Sequence, residues 1–249
     1  MTFSDDELDR YARHIVLPQF GGAGQQRLKS SSVLLVGAGG IGAGALPSLA
    51  GAGVGRIHIV DDDQVDVSNL ARQPLYRSED VGRSKAELAA RFAAERNPHI
   101  EIVAVDQRVD EDNAENLLSG HDLVIDGSDN FRTRLIVSDM AVKLGLPLVS
   151  GAAAQFQGQA ALLTGQPCYR CFVGEAFDSD DCDNCAELGV LGALTGTMGH
   201  FAAMLAIRHL AGIGPSDAGT LHLFDGVRAR WKAITLVADP ACRACGTPG

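Results

Sequence analysis

Hydrophobic and polar positions alternate along the chain with two periods. SVLLVG, RIHIVD, IEIVAVD, DLVIDGS and PLVSG are apolar runs of strand length. Segments with helical spacing stand between them: IGAGALPSLAGAG, SKAELAARFAAERN, and stretches near 112–119 and 131–144. Ser84 is placed to cap the second of these helices, and Asn97-Pro98 ends it. Strands that alternate with helices imply a parallel sheet joined by right-handed crossovers. Two helices precede the first strand: SDDELDRYARHI, capped by Ser4 with acids in its first turn, and the shorter QQRLKSS.

After Ser150 the pattern changes. AQFQGQAALLT, TLHLFD and RWKAITLV predict strands of a mixed or antiparallel section, and a long helix is expected from about Val190 to Leu210. GEAFDSDDCDN has no period and is acidic, and it reads as a mobile crossover loop. The expected fold is α/β: a Rossmann-like, mostly parallel sheet continued by antiparallel strands and flanked by helices. No Pro- or Ser-rich linker divides the chain. A single domain over 1–249 is expected, with N-terminal helices in 1–31, a nucleotide-binding part in 32–150 and a mixed-sheet part in 151–249.

The turn after the first strand carries the first chemical signal. Gly37, Gly39 and Gly42 satisfy G-x-G-x-x-G between a strand and a helix, and Gly40 adds a further glycine. Such a loop lets backbone approach a phosphate and presents helix N–H groups to it. Asp61 ends the second strand, where a carboxylate can accept hydrogen bonds from ribose hydroxyls. To this point an NAD-dependent oxidoreductase fits equally well. SNLARQ then brings Ser68, Asn69 and Arg72, and Lys85 opens the next helix. Two cations and an amide suit a triphosphate whose cleavage sheds pyrophosphate. DLVIDGSDN adds Asp126 and Asp129, with Asn130, where a parallel strand ends, and Asp129 is the better candidate for magnesium.

Composition narrows the choice of partners. The net charge is −10, which argues against a nucleic-acid or anionic-membrane binder, so bound polyphosphate must meet locally placed cations. The acidic, amphipathic start MTFSDDELDRYARH is unlike a signal peptide, and no apolar run is long enough to span a bilayer, so a cytoplasmic protein is expected. In that compartment disulfides are the poorer reading of the cysteines. The six cysteines form three C-x-x-C pairs: Cys168 and Cys171, Cys182 and Cys185, Cys242 and Cys245. Two such pairs make a tetrahedral sulfur site for zinc, so three pairs are one too many.

In this order and register the motifs resemble those of the sulfur-carrier adenylyltransferases, bacterial relatives of ubiquitin-activating enzymes that serve molybdopterin and thiamine biosynthesis. The resemblance runs through RYARHIVLPQFGGAGQQRL, GAGGIG, the D-x-D-x-V-x-x-SNLARQ segment, VGRSKAE, NPHI, DGSDNFRTR, PLVSGAA, PCYRC and PACRACG. It implies that Gly40 contacts ATP, that Asp61 binds ribose, and that Asn69, Arg72 and Lys85 handle the phosphates. It also implies that Asp129 orients magnesium and that Arg13 reaches the ATP of a second subunit in a homodimer. Cys168, Cys171, Cys242 and Cys245 become structural zinc ligands. Cys185 matches a cysteine that in some relatives links covalently to the carrier, although Asn184 stands where Thr is common and Cys182 has no counterpart; a loop cysteine without function and a redox pair of the two are the other readings.

The implied reaction joins the C-terminal glycine carboxylate of a ubiquitin-like carrier ending in Gly-Gly to AMP, with sulfur supplied later by a separate donor. A carboxylate with a reference pKa of about 3.5 needs no general base near neutrality. The sequence offers no convincing Ser-His-Asp arrangement. The rival readings are the NAD-dependent oxidoreductase, a non-catalytic carrier-binding homologue, and the relative that cyclises a modified adenosine in transfer RNA; the acidic balance and the zinc cysteines argue against the last.

Overall fold

The computed structural model describes residues 2–174 and 189–246. The expected crossover loop falls almost wholly outside these residues, as do Cys182 and Cys185.

The sheet has eight strands in the order β3-β2-β1-β4-β5-β6-β7-β8. β1 (Ser32–Val36), β2 (Arg56–Val60), β3 (Glu101–Val105), β4 (Leu123–Asp126) and the first half of β5 (Leu148–Ala154) pair in parallel. β6 (Gln157–Leu163), β7 (Thr220–Asp225) and β8 (Arg230–Thr235) continue it in antiparallel pairing. β1 lies at the centre of the parallel part and is buried along its whole length, as its unbroken apolar run requires.

Helices cover both faces. On one face α2 (Gly21–Ser30), α3 (Gly40–Ala52), α4 (Lys85–Arg96) and α8 (Gly192–Ala211) enclose Leu35, Ile57, Ile59, Leu123, Ile125 and Met198. On the other, α5 (Ala114–Leu118), α6 (Phe131–Leu144) and α7 (Tyr169–Val173) enclose Leu34, Val36, Val124 and Leu148. α1 (Asp5–Ile15) packs on α2, and its Tyr11 hydroxyl accepts a 2.8 Å hydrogen bond from the buried Asn97 amide. Ser4 caps α1 in a full capping box with Glu7.

The structure corrects several expected boundaries. AQFQGQAALLT is not one strand: Ala154 ends β5, and Gln155 and Phe156 form a two-residue turn in which Gln155 adopts φ +52°. The apolar pattern runs through because both strands are half-buried, and no Gly or Asn marks the turn. α2 starts at Gly21 rather than Gln25, and α8 at Gly192 rather than Val190, which instead bridges Gln155. The short α7, which starts in PCYRC and runs on to Val173, is additional to the expected elements.

α3 and α8 cross without intervening side chains. A Cβ on Gly199 would lie 2.3 Å from the Ile41 carbonyl oxygen and 2.8 Å from Gly44 Cα. Gly199→Ala is therefore expected to force the helices apart and destabilise the protein by about 1–3 kcal/mol, the usual cost of overpacking. Denaturant unfolding checks this, and an unchanged midpoint and slope would refute it.

Candidate functional site

In the order 3-2-1-4-5 the connections leave β1 and β4 in opposite directions, so a crevice opens beyond their C-terminal ends. Two loops meet there. A Cβ on Gly37, which has φ +86°, would lie 3.1 Å from the carbonyl carbon and oxygen of Gly127, the residue after β4. The glycine loop enters α3 through Gly39, which caps the helix without a side-chain hydrogen bond. The first-turn N–H groups of α3 thus have no side-chain acceptor and form an anion-binding end. Gly40 cannot carry a side chain, because its Cβ would stand 2.9 Å from Thr195 Cβ on α8, and Gly42 cannot, because its Cβ would stand 2.1 Å from the Gly37 carbonyl oxygen.

A chain of hydrogen bonds ties this helix end to a buried cation. Ala38 N–H donates to Asp61 Oδ2 at 2.7 Å, and Asp63 N–H donates to Asp61 Oδ1 at 2.9 Å. Asp63 Oδ2 then accepts from Lys85 Nζ at 2.6 Å. Lys85 is only 5% exposed, so its ammonium depends on this partner. Asp61 braces the loop through backbone bonds, and each oxygen keeps a lone pair for a ligand. Burial pushes its carboxyl above the ordinary value, against the opposing pull of Lys85. Asp61, Asp62 and Asp63 bring carboxylate oxygens within 4.8 Å of one another, a group of metal-ligand type that the sequence reading did not single out.

The SNLARQ segment starts in a one-turn 3-10 helix, Val67–Asn69. Asp66 Oδ1 accepts from Ser68 N–H, and buried Asn69 accepts from Asp66 N–H, so both residues shape the turn. Arg72 is half-buried; its Nη1 donates to the Ser68 carbonyl oxygen at 3.0 Å, and its own carbonyl accepts from Thr195 on α8. Neighbouring Gln73 is buried with Oε1 unpartnered, a polar atom that a ligand donor would satisfy. It stands last in the quoted motif, but its burial was not legible there.

Beyond β4, Asp126 Oδ1 accepts from Ser128 N–H at 2.9 Å and Ser128 Oγ at 2.6 Å, while buried Oδ2 has no hydrogen bond. Asp126 therefore serves the turn. Asp129 is exposed in that loop. Asn130 caps α6, accepting from Thr133 N–H at 2.8 Å. Arg134, one turn into α6, donates to Ser150 Oγ and to the Ser128 and Gly151 carbonyl oxygens, which fixes the loop from below. Arg13 lies in the last turn of α1, exposed and with no side-chain partner among the described residues.

The outer cysteine pairs converge. Cys168 Sγ lies 3.6 Å from Cys242 Sγ, and Cys171 Sγ lies 3.4 Å from Cys245 Sγ, with all four ligand atoms within 4.8 Å. A tetrahedral zinc with bonds of about 2.3 Å needs sulfur separations of about 3.8 Å, so this donor set fits zinc. Burial raises the Cys168 thiol's pKa. Arg170 anchors the knuckle by a two-pronged ion pair to Asp139 on α6, at 2.7 Å and 2.8 Å.

The ThiF family model matches residues 11–244. The chain belongs to the ThiF family. It is similar to the sulfur carrier protein adenylyltransferase of Thermus thermophilus, at 45% identity over 99% of this chain and 93% of that one. It is also similar to the molybdopterin-synthase adenylyltransferase of Salmonella typhimurium, at 39% identity over 98% of each. Among solved structures, E. coli MccB with MccA-N7isoASN superposes with a TM-score of 0.84 over 98% of this chain and 76% of MccB; at 21% identity it shares the fold.

The thiol cluster predicts that purified protein carries about one zinc per chain, the stoichiometry of a closed four-thiolate site. Cys242→Ser should lose metal and stability, because structural zinc binding contributes directly to folding. Cys185→Ala should keep the metal. Elemental analysis decides: zinc loss in Cys185→Ala would show that a different set of cysteines holds it.

Proposed function

We propose that the chain adenylates the C-terminal glycine carboxylate of a small ubiquitin-like sulfur carrier ending in Gly-Gly, using ATP and magnesium and releasing pyrophosphate. The observation that carries this reading is the hydrogen-bond chain from an uncapped helix N-terminus through Asp61 and Asp63 to buried Lys85. A dinucleotide enzyme needs the glycine loop and Asp61 but has no use for a buried ammonium held beside them. The names of the two relatives give the carrier as substrate class and support molybdopterin biosynthesis as the pathway, with thiamine biosynthesis as the alternative.

An ionised carboxylate must reach the α-phosphorus of a polyanion, so the barrier is electrostatic and catalysis rests on positioning and charge neutralisation. The glycine-loop backbone and α3 N–H groups receive phosphate oxygens, and Asp61 receives the ribose. Ser68, Asn69 and Asn130 shape the loops that line the nucleotide. Arg72 and Lys85 meet the charge that develops on leaving pyrophosphate. Lys85 must exchange Asp63 for a phosphate, which leaves Asp63 free to turn toward solvent. Asp129 would hold magnesium, which would screen the phosphates. Arg13, exposed and unpartnered, is assigned to the site of a second subunit in a homodimer. Sulfur is assigned to a separate donor, with Cys185 the candidate for any covalent link to the carrier. Among the described residues no helix is long and apolar enough to cross a membrane.

Carrier-dependent ATP–pyrophosphate exchange tests the reading. Arg72→Ala and Lys85→Ala should each nearly abolish exchange, chiefly through the rate, while keeping the fold. Wild-type rates in either folded variant would sink these assignments.

Subunit complementation tests Arg13. Arg13→Ala and Asp129→Ala homodimers should both be inactive. Mixing with subunit exchange gives each heterodimer one intact site, so roughly a quarter of wild-type activity should return. Heterodimers without recovery would place Arg13 outside the partner's site.

A further inference from the structure

Tyr76 closes the segment that carries Asn69 and Arg72, and the chemistry above makes no use of it. Its ring packs in the core beneath the glycine loop, with 5% of the residue exposed. A phenylalanine would fill that space equally well. The hydroxyl is what needs explanation. It donates to the Ala38 carbonyl oxygen at 2.8 Å and lies 3.3 Å from the Lys85 carbonyl oxygen. One atom therefore touches both elements that meet the phosphates, from a third segment that supplies Arg72.

The two acceptors differ in their dependence on it. Lys85 is the first residue of α4, so its carbonyl also belongs to the helix ladder. The Ala38 carbonyl has no other hydrogen bond among the described residues. Ala38 N–H is held on its other side by Asp61 Oδ2 at 2.7 Å. Its flanking peptide groups are thus fixed at both polar atoms, and rotating either one breaks one of these bonds. Elsewhere the loop is held through its backbone alone, by Gly37 N–H on the Val60 carbonyl oxygen at 2.8 Å and Ala43 N–H on the Gly39 carbonyl oxygen at 2.8 Å, since Gly37, Gly39 and Gly40 carry no side chains and glycine has the most backbone freedom to lose. Burial, reinforced by Asp61, Asp63 and Asp80, raises the phenol's pKa, so it remains a donor at any working pH.

We propose that Tyr76 is a positioning residue for the triphosphate: its hydroxyl sets the glycine loop at the spacing from Lys85 that the phosphates require. The proposal rests on the nucleotide reading above. It assigns specificity of placement to a residue that meets no substrate, and it makes Asp61 and Tyr76 the two jaws of a clamp on Ala38.

Tyr76→Phe removes the hydroxyl and keeps the ring. Binding of a non-hydrolysable ATP analogue with magnesium, followed by calorimetry without carrier, should weaken about threefold to tenfold, the range of one lost neutral hydrogen bond. In exchange assays the KM for ATP should rise while the titrated fraction of active sites stays constant. Leu75→Ala is the control: it truncates a neighbouring core side chain and should lower the melting temperature without raising the KM. Equal analogue affinity in wild type and Tyr76→Phe would overturn the proposal while leaving the nucleotide site standing. So would a Tyr76→Phe variant that only lowers the melting temperature or the active fraction, as Leu75→Ala does. A wild-type protein that binds no analogue would overturn the nucleotide reading itself, and the proposal with it.

Discussion

Gly42 stands where a Cβ would be 2.1 Å from the Gly37 carbonyl oxygen, and Gly199 where one would be 2.3 Å from the Ile41 carbonyl oxygen. These two backbone contacts, one within the glycine loop and one across the α3–α8 crossing, set the geometry of the site. The first turns the chain sharply from β1 into α3, which aims the helix N-terminus along the crevice beyond the sheet. The second lets α8 lie directly against α3, so that Thr195 reaches the Arg72 carbonyl and Gly192 sits against Ala71. A wider crossing would carry the Arg72 segment away from the phosphate end of α3. Tight packing and ligand approach thus draw on the same absence of side chains.

The second constraint is charge. A chain of net charge −10 that grips a polyanion must concentrate its cations and hold them ready. Lys85 shows how this is arranged. Its ammonium is buried where an unpaired charge would be costly, and Asp63, exposed over most of its side chain, supplies the counter-ion from the solvent side. The pair is worth little as a source of stability, since breaking even is the usual result for such bridges. On the proposed reading its value lies in exchange: a phosphate would replace the carboxylate, and the lysine would not need to be desolvated during the reaction. Arg72, half-buried and bonded among the described residues only to a carbonyl through one guanidinium nitrogen, has the rest of its fork available for a ligand.

Much of this was legible in the sequence because it is carried by local rules. Strand and helix periods gave the parallel half, and α6 falls on the expected 131–144. The glycine spacing and Asp61 needed no tertiary information beyond a strand–loop–helix context, whereas the choice of the four outer cysteines, which do converge, came from the family resemblance. The errors arose where pattern carries no punctuation. The turn at Gln155 and Phe156 has neither Gly nor Asn, so the first strand read as ending at Gly151 and the second as starting before the turn, at Ala154. The less visible residues are those whose role depends on long-range packing. Gln73, Asp63, Tyr76 and Arg134 each look like ordinary polar or aromatic positions until the fold buries them or pairs them. Asp126, the weaker of the two candidate magnesium carboxylates in the sequence, holds a turn through Ser128.

The cysteine knuckle bears on the site through α6. Tyr169 N–H donates to Ser138 and Arg170 pairs with Asp139, so consecutive residues of the C-x-x-C segment grip consecutive residues of one helix. That helix begins at Asn130, directly after Asp129, and its Arg134 buttresses the loop that presents Asp129. The helix is short enough to move as a rigid rod, so what fixes its middle also fixes its first turn. Cys242 and Cys245 follow the last strand, and joining them to Cys168 and Cys171 closes the antiparallel half of the sheet against the helix that serves the parallel half. A thiolate-bound metal there would act at a distance from the chemistry, by removing freedom from the element on which the carboxylate loop is mounted.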